Sequence, residues 1–379
     1  MVTGPRQSGK TTLLKHLFSK SHNYVTLDDP EAQLEAREDP KLFLKNNPPP
    51  LIIDEIQYAP GLLPFLKVHI DEHRSNRGDF LLTGSQVFPL MAGVSESLAG
   101  RIALFSLLSF SLQEEFRNQS DLQLGQLKKR ILRGGYPELV VQEKMNSKLW
   151  HTGYLQTYLE RDVRQLKKIG DLTDFQRFLR LLAAFNGQVL NLSALSRDLG
   201  VAVNTIKNWV SILEASHQVT LVQPYYRNKG KRIIKSPKIY FSDTGFVCYL
   251  NGITSVEQVF KGPQAGPLLE TLVLNEIVRD FHGRGEIPQV YWWRTSAGEE
   301  VDFVVEVAGA LIPIEVKLAA KQNHGMIKGM TAFSRLFENE VKAGYLVNLS
   351  DKPHALAENI VALPIFEMAR RSLLDTSTA

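Results

Sequence analysis

Cysteine is almost missing from this 379-residue chain, where Cys248 stands alone. That excludes an internal disulfide and a cysteine-built zinc site, and it suits a reducing compartment. Long apolar runs are missing as well. A membrane-spanning helix needs roughly 18–20 consecutive apolar residues. The best candidate, Ala103–Leu112, is about half that length and dotted with serines. No signal-like leader precedes the glycine-bearing loop at Gly4, so the chain reads as soluble and cytoplasmic, with no membrane partner. Charge of one sign is not in great excess: 44 Lys and Arg against 40 Asp and Glu leave a net +4. This permits a nucleic-acid partner without requiring one. Repeats and low-complexity tracts are lacking too, so no repeat architecture is expected.

The length is too great for one hydrophobic core, and about two to four domains are expected. Over residues 1–115, the runs YVTLDD (Tyr24–Asp29), LIIDE (Leu51–Glu55), DFLLTGS (Asp79–Ser85) and RIALFSL (Arg101–Leu107) alternate with helical patterns. Such alternation predicts a mostly parallel sheet covered on both faces, an α/β class. Residues 116–187 turn helical, with Tyr154, Leu155, Tyr158, Leu159 and Leu166 at helical spacing. Residues 188–253 give two helices around a turn at Gly200, with Asn204 or Thr205 as cap of the second, and then two strand-like runs. That order suggests a winged helix. Residues 254–350 give a helix, three strand candidates, a further helix and a last strand, and 351–379 form a C-terminal extension.

Gly4-Pro5-Arg6-Gln7-Ser8-Gly9-Lys10-Thr11, followed by Thr12, fits G-x-x-x-x-G-K-[ST] at every fixed position. Glycines let backbone N–H groups turn inward around phosphate oxygens, and the following helix adds its dipole. Lys10 is placed to reach the β- and γ-phosphates and Thr11 to ligate Mg²⁺. Only three residues precede Gly4, fewer than the roughly five of an ordinary strand. Asp54 and Glu55 close an apolar run; the first can hold the metal through water and the second can polarise an attacking water. Ser85 or Gln86, after the run FLLTG, is the candidate γ-phosphate sensor. Arg101 is either a charge-stabilising arginine, in cis or on a neighbouring subunit, or a surface ion-pair partner. Arg161 and Arg164 are weaker candidates for the same role.

TGPRQSGKTTLL, LIIDEIQ, FLLTGSQ, SLAGR, RGGYPE and YLERDV together resemble a group of prokaryotic AAA-type P-loop ATPases with a C-terminal domain of unknown function. The resemblance runs to about Leu349. It implies ATP and Mg²⁺ as ligands, Walker A at Gly4–Thr11, Walker B at Asp54 with Glu55, a winged helix, and a C-terminal fold related to restriction endonucleases. A homo-oligomer is compatible with it.

In the second half, Arg227, Lys229, Lys231, Arg232, Lys235 and Lys238 fall within an acid-free stretch of twelve residues. On a hairpin wing they would lie against a DNA backbone. Asn204, Thr205, Lys207 and Asn208 would project from the groove-facing helix. Further on, EEVDFVV and LIPIEVK resemble the PD-(D/E)xK nuclease core. There Asp302 and Glu315 would hold a second Mg²⁺ or a Mn²⁺, and Lys317 shares a strand face with Glu315. Glu270 is the helical carboxylate, with Glu276 as its alternative. Two carboxylates beside a lysine permit metal-assisted phosphodiester hydrolysis.

Three functions follow as expectations. The first is Mg²⁺-dependent ATP hydrolysis that rearranges a winged-helix and nuclease-like half, on DNA. The second is a metal-dependent DNA nuclease regulated by the ATPase. The third is a nucleotide-gated binding module with negligible turnover.

Overall fold

Val2 and Thr3 make a strand of only two residues, β1, and it lies inside a parallel sheet. In the computed structural model, which describes residues 1–84, 97–119, 122–158, 172–226 and 236–375, the chain divides into two units. One comprises Met1–Ser109 with the short Ala215–His217 segment; the other comprises Phe110–Glu214 and Gln218–Ala379.

In the first unit β1 is followed by α1 (Lys10–Phe18), β2 (Asn23–Thr26), α2 (Pro30–Glu38), α3 (Pro40–Asn46), β3 (Leu51–Asp54), α4 (Leu63–Glu72), β4 (Phe80–Leu82) and β5 (Phe105–Ser106). β3 lies between β2 and β4, all parallel, with Thr26 opposite Asp54 and Ile53 opposite Leu82. β1 pairs with β5, and Val2 also bridges Thr83 just beyond β4. The two-stranded sheet β1-β5 thus adjoins the three-stranded sheet β2-β3-β4 through the Val2–Thr83 bridge. The brevity of β1 is compensated by bonds on both sides: Gly84 N donates to Val2 O at 3.3 Å, and Leu107 N to Thr3 O at 2.8 Å. Leu51, Ile52 and Ile53 are fully buried, as a strand covered on both faces requires. Their core continues through Leu27, Phe43, Ile56, Leu62 and Leu66. Two Asp-Pro pairs start helices. Asp29 accepts from Glu31 N and Ala32 N, Asp39 accepts from Leu42 N, and each proline takes the first helical position, where no N–H is missed.

The second unit begins with helices α5 (Leu112–Phe116), α6 (Leu124–Arg133), α7 (Pro137–Val141), α8 (Ser147–Tyr158), α9 (Leu172–Ala184), α10 (Leu192–Leu199) and α11 (Val203–Ala215). Then come β6 (Val219–Pro224), β7 (Lys238–Phe241), α12 (Thr244–Leu250) and α13 (Ala265–Gly283). The last elements are β8 (Val290–Arg294), β9 (Glu300–Val307), β10 (Ala310–Val316), α14 (Lys328–Leu336), β11 (Gly344–Asn348), β12 (His354–Ala357) and β13 (Ile360–Pro364). Gly200 caps α10 at φ 71° as expected, but α11 already starts at Val203, so Asn204 and Thr205 sit in its first turn.

One sheet of eight strands runs β12-β13-β11-β10-β9-β8-β6-β7. The β6–β7 hairpin thus belongs to the same sheet as the C-terminal strands, through parallel pairing of Gln223 with Tyr291 and Pro224 with Trp292. The segment after residue 350 adds two more strands, with β13 parallel to β11. Among the described residues no helix is long and apolar enough to cross a membrane.

The RGGYPE stretch is a packing device. Asp243 Oδ2 accepts Gly135 N at 2.7 Å, while Oδ1 accepts Phe246 N at 3.0 Å and caps α12. A Cβ on Gly134 would collide with that carboxylate, and one on Gly245 with the Arg133 carbonyl. Arg133 donates to Met145 O at 2.9 Å and Leu139 O at 2.8 Å, tying the following turn down. Asp243→Ala would strand two buried N–H donors and should lower the unfolding free energy by about 2–4 kcal/mol in urea titration. Asp243→Asn, which keeps one acceptor, should cost less.

Candidate functional site

The loop between β1 and α1 has the backbone that its glycines allow. Gly4 lies at φ 141°, where a Cβ would collide with Leu107 O, and Gly9 lies at φ 91° at the head of α1. Gln7 also takes a positive φ of 59°. Lys10 is 5% exposed, and its Nζ donates to Gly4 O at 3.2 Å and Pro5 O at 2.8 Å. Ser8 is buried, and its Oγ has no hydrogen-bond partner among the described residues. Pro5 is buried, Arg6 half-buried, and Thr12 exposed. A cradle of turned-in backbone with a buried ammonium and an orphan hydroxyl fits a phosphate-bearing ligand.

Asp54 gathers the hydroxyls of three other elements. Thr11 Oγ1 donates to its Oδ1 at 2.7 Å, Thr83 donates to the same oxygen, and Tyr24 donates to Oδ2 at 2.9 Å. Burial, with the Asp54 carboxylate contributing after it, pushes Tyr24 up to about 12, so it remains a donor. Thr83 Oγ1 in turn accepts Glu55 N at 3.0 Å. Glu55 stands in a left-handed turn at φ 58°, and the Gln57 amide donates to its carboxylate. Thr11, Asp54 and Glu55 are thus brought together, with Lys10 adjacent in sequence.

Thr83 and Tyr24 are missing from the sequence reading. Thr83 had a signal, since it is the first polar residue after the apolar run of β4. The sensor candidates Ser85 and Gln86 lie outside the described residues, as do Arg161 and Arg164. Arg101 is bound to Asp71 through two bonds, Nε–Oδ1 at 2.8 Å and Nη2–Oδ2 at 3.0 Å.

The C-terminal candidates also converge. Lys317 Nζ lies 2.5 Å from Glu315 and 3.7 Å from Asp302 Oδ2, and Val316 N donates to that Oδ2 at 2.9 Å. Glu270, on α13, accepts from Tyr240 OH at 2.9 Å. Lys238, counted with the basic run of the wing, is instead buried at the start of β7, 2.6 Å from Glu300 and 3.9 Å from Asp302 Oδ1. That corrects its expected place against a phosphate backbone. Two ammonium groups therefore flank Asp302, one at each oxygen. No group of three or more His, Cys, Asp or Glu side chains among the described residues is set to hold a metal ion. Asp302, Glu315 and Lys317, expected around a second Mg²⁺ or Mn²⁺, meet in a carboxylate–lysine network.

Glu276, the alternative to Glu270, belongs elsewhere: it pairs with Arg279 at 2.8 Å and accepts Leu112 N at 2.8 Å. On α11, Asn204, Lys207 and Asn208 are exposed, opposite buried Ile206, Trp209 and Val210. Arg227, Lys229, Lys231, Arg232 and Lys235 lie outside the described residues.

Comparison with known proteins places these features in a family. An AAA domain matches residues 1–116, and two domains of unknown function, DUF8612 and DUF4143, match residues 124–257 and 265–368. Uncharacterized proteins of Mycobacterium tuberculosis and Mycobacterium bovis are each 31% identical over 378 residues, covering 99% of this chain and 82% of theirs. An uncharacterized protein of Haemophilus influenzae is 22% identical over 85% of this chain and 83% of its own. Among solved structures, the Aeropyrum pernix ORC2 protein in its ADP form is 12% identical at a TM-score of 0.29, covering 69% of this chain and 88% of that one.

The carboxylate–lysine network carries a pH signature. Burial, then the Asp302 charge, pushes Glu315 up to about 8 and Glu270 up to about 7. Lys317 faces both glutamates, and Lys238 and Tyr240 also face Glu270. For both lysines burial, which lowers, is outweighed by the carboxylates, Asp302 first, so they stay charged. The unfolded chain releases the glutamate protons near the ordinary 4.5, so the folded state binds more protons between there and about pH 8. This contribution to stability is therefore greatest at low pH and falls as pH rises across that window. Urea midpoints measured from pH 5 to 8 should show the fall, and Glu315→Gln should flatten it.

Proposed function

The chain belongs to the family of AAA-domain proteins that includes these mycobacterial relatives, and from that membership we propose that it binds ATP with Mg²⁺ and hydrolyses the γ-phosphate. The nucleotide state would then rearrange its C-terminal half. The observation that carries this reading is the hydrogen-bonded chain Thr11–Asp54–Thr83–Glu55, which joins the phosphate loop to the candidate base.

When bound, Mg²⁺ would neutralise charge on the phosphates. The chain's own groups would do the remaining work. Backbone N–H groups of the Gly4–Thr12 loop, Pro5 excepted, would donate to the phosphate oxygens, and Lys10 supplies a positive charge already desolvated against the loop carbonyls. Thr11 and Asp54 are the residues to hold the metal. Glu55 Oε takes a proton from the attacking water. Thr83 donates to the Asp54 carboxylate and accepts the Glu55 backbone N–H, so it fixes the turn from which the base projects.

Lys10→Ala should abolish binding of a fluorescent ATP analogue. Glu55→Gln should bind it normally while phosphate release falls by about 10²-fold or more. Thr83→Val should also retain binding and lose turnover. Unchanged turnover in both Lys10→Ala and Glu55→Gln would sink the assignment, and tight binding without any turnover in the wild type would favour a nucleotide-gated binding module.

A second reading concerns DNA. The two helices and hairpin of residues 188–253 support a winged-helix assignment, and the exposed face Asn204–Lys207–Asn208 supports contact with a duplex. Anisotropy titration with duplex DNA should give salt-dependent affinity, and Lys207→Ala should reduce the slope of log K against log salt by about one. Salt-independent affinity, or none, would remove this reading.

A further inference from the structure

The second unit contains a cavity of about 570 Å³ between α5, α13 and the C-terminal segment. It falls within the roughly 300–1,000 Å³ of small-molecule sites. Neither the nucleotide loop nor the carboxylate–lysine network contributes to its wall.

The wall carries three carboxylates and three guanidinium groups, and their bonding states differ. Glu114 Oε2 accepts Ser111 N at 2.8 Å and Ser111 Oγ at 2.9 Å, completing the cap of α5. Glu276 uses one oxygen on Arg279 and the other on Leu112 N. Asp280 takes Arg284 at 3.0 Å on Oδ1 and Ser372 on Oδ2. Each carboxylate is thus turned to holding the wall together. Two of the guanidinium groups are not so engaged. Arg117 has no hydrogen bond or ion pair among the described residues. Among the described residues the Arg371 guanidinium makes no hydrogen bond; Glu367 stands 3.7 Å from its Nε, and Tyr345 also faces it. Phe110, Ile277, Met368 and Leu373 supply an apolar lining between the charged groups.

Donors in excess beside apolar surface define a ligand class. A guanidinium fork matches a carboxylate or phosphate in bidentate fashion, and the apolar side chains match a hydrocarbon or aromatic body. We propose that this cavity is a binding site for a small organic anion, with its carboxylate or phosphate on Arg117 and Arg371 and its apolar body against Ile277 and Met368. The C-terminal segment forms one wall and is strapped to α13 by Arg284, which donates to Asp375 Oδ1 at 2.7 Å and Ser372 Oγ at 3.1 Å. The site is therefore built partly from chain that lies beyond the nuclease-like segment expected from sequence.

The test uses the full chain carrying Lys10→Ala, so that the nucleotide loop does not report. Phenyl phosphate, benzoate and neutral phenol are titrated by calorimetry. Saturable uptake of at least one anion, with none of phenol, is expected, and the preferred anion tells phosphate from carboxylate. Arg117→Met and Arg371→Met should each weaken binding by about tenfold, the scale of one charge-assisted hydrogen bond. Arg371→Lys should recover part of the loss. Unchanged circular dichroism melting without probe keeps the variants interpretable: Arg117 is the C-cap residue of α5, but no capping bond from its side chain is made among the described residues. Absence of saturable uptake, equal uptake of phenol, or undiminished binding in the double variant would overturn the proposal.

Discussion

The Asp54 carboxylate is the point on which the nucleotide-binding unit turns. It sits at the end of a strand buried on both faces, and a charge there is tolerated only because hydroxyls surround it. Thr11 comes from α1, Tyr24 from β2 and Thr83 from the end of β4, so one acid ties three neighbouring elements at the C-terminal edge of the strands. The parallel register makes this arrangement available. β2 and β4 bring their C-terminal ends level with Asp54, because Thr26 pairs with it and Leu82 with Ile53. The loop hangs from β1, whose two residues hold their place through neighbours on both sides.

The second unit handles buried charge differently. Its charged groups lie beside opposite charges: Lys238 with Glu300, Lys317 with Asp302, and Arg279 with Glu276. Such pairs specify position more than they stabilise, since desolvation offsets much of the attraction. The excess of carboxylates around Asp302 is accommodated by protons on Glu270 and Glu315 near neutral pH. The residues read from sequence as a metal centre are brought together in space, with the ammonium groups of Lys238 and Lys317 beside Asp302.

What was legible in the sequence was what is local. The phosphate loop and the apolar run ending in Asp54 and Glu55 are each set by a few consecutive residues. The strands of both units fall where their apolar runs lie, except the last two, whose exposed HALA and short IVALP carry little pattern. The pairings that finish each site are not local. Thr83 reaches Asp54 across 29 residues, and no periodicity links them. Lys238 illustrates the same limit: its sequence neighbours are basic, yet its partners lie on β9, so composition placed it on a wing and tertiary contact places it in the sheet.

The merging of the β6–β7 hairpin into the eight-stranded sheet has a mechanical consequence. Tyr225 N donates to Trp292 O at 2.7 Å, so the outgoing end of β6 is bonded to β8, and β8 to β9, where Asp302 stands. A displacement of β6 is therefore carried sideways to β8 and β9 through backbone ladders, and it reaches the strand that bears the charged network.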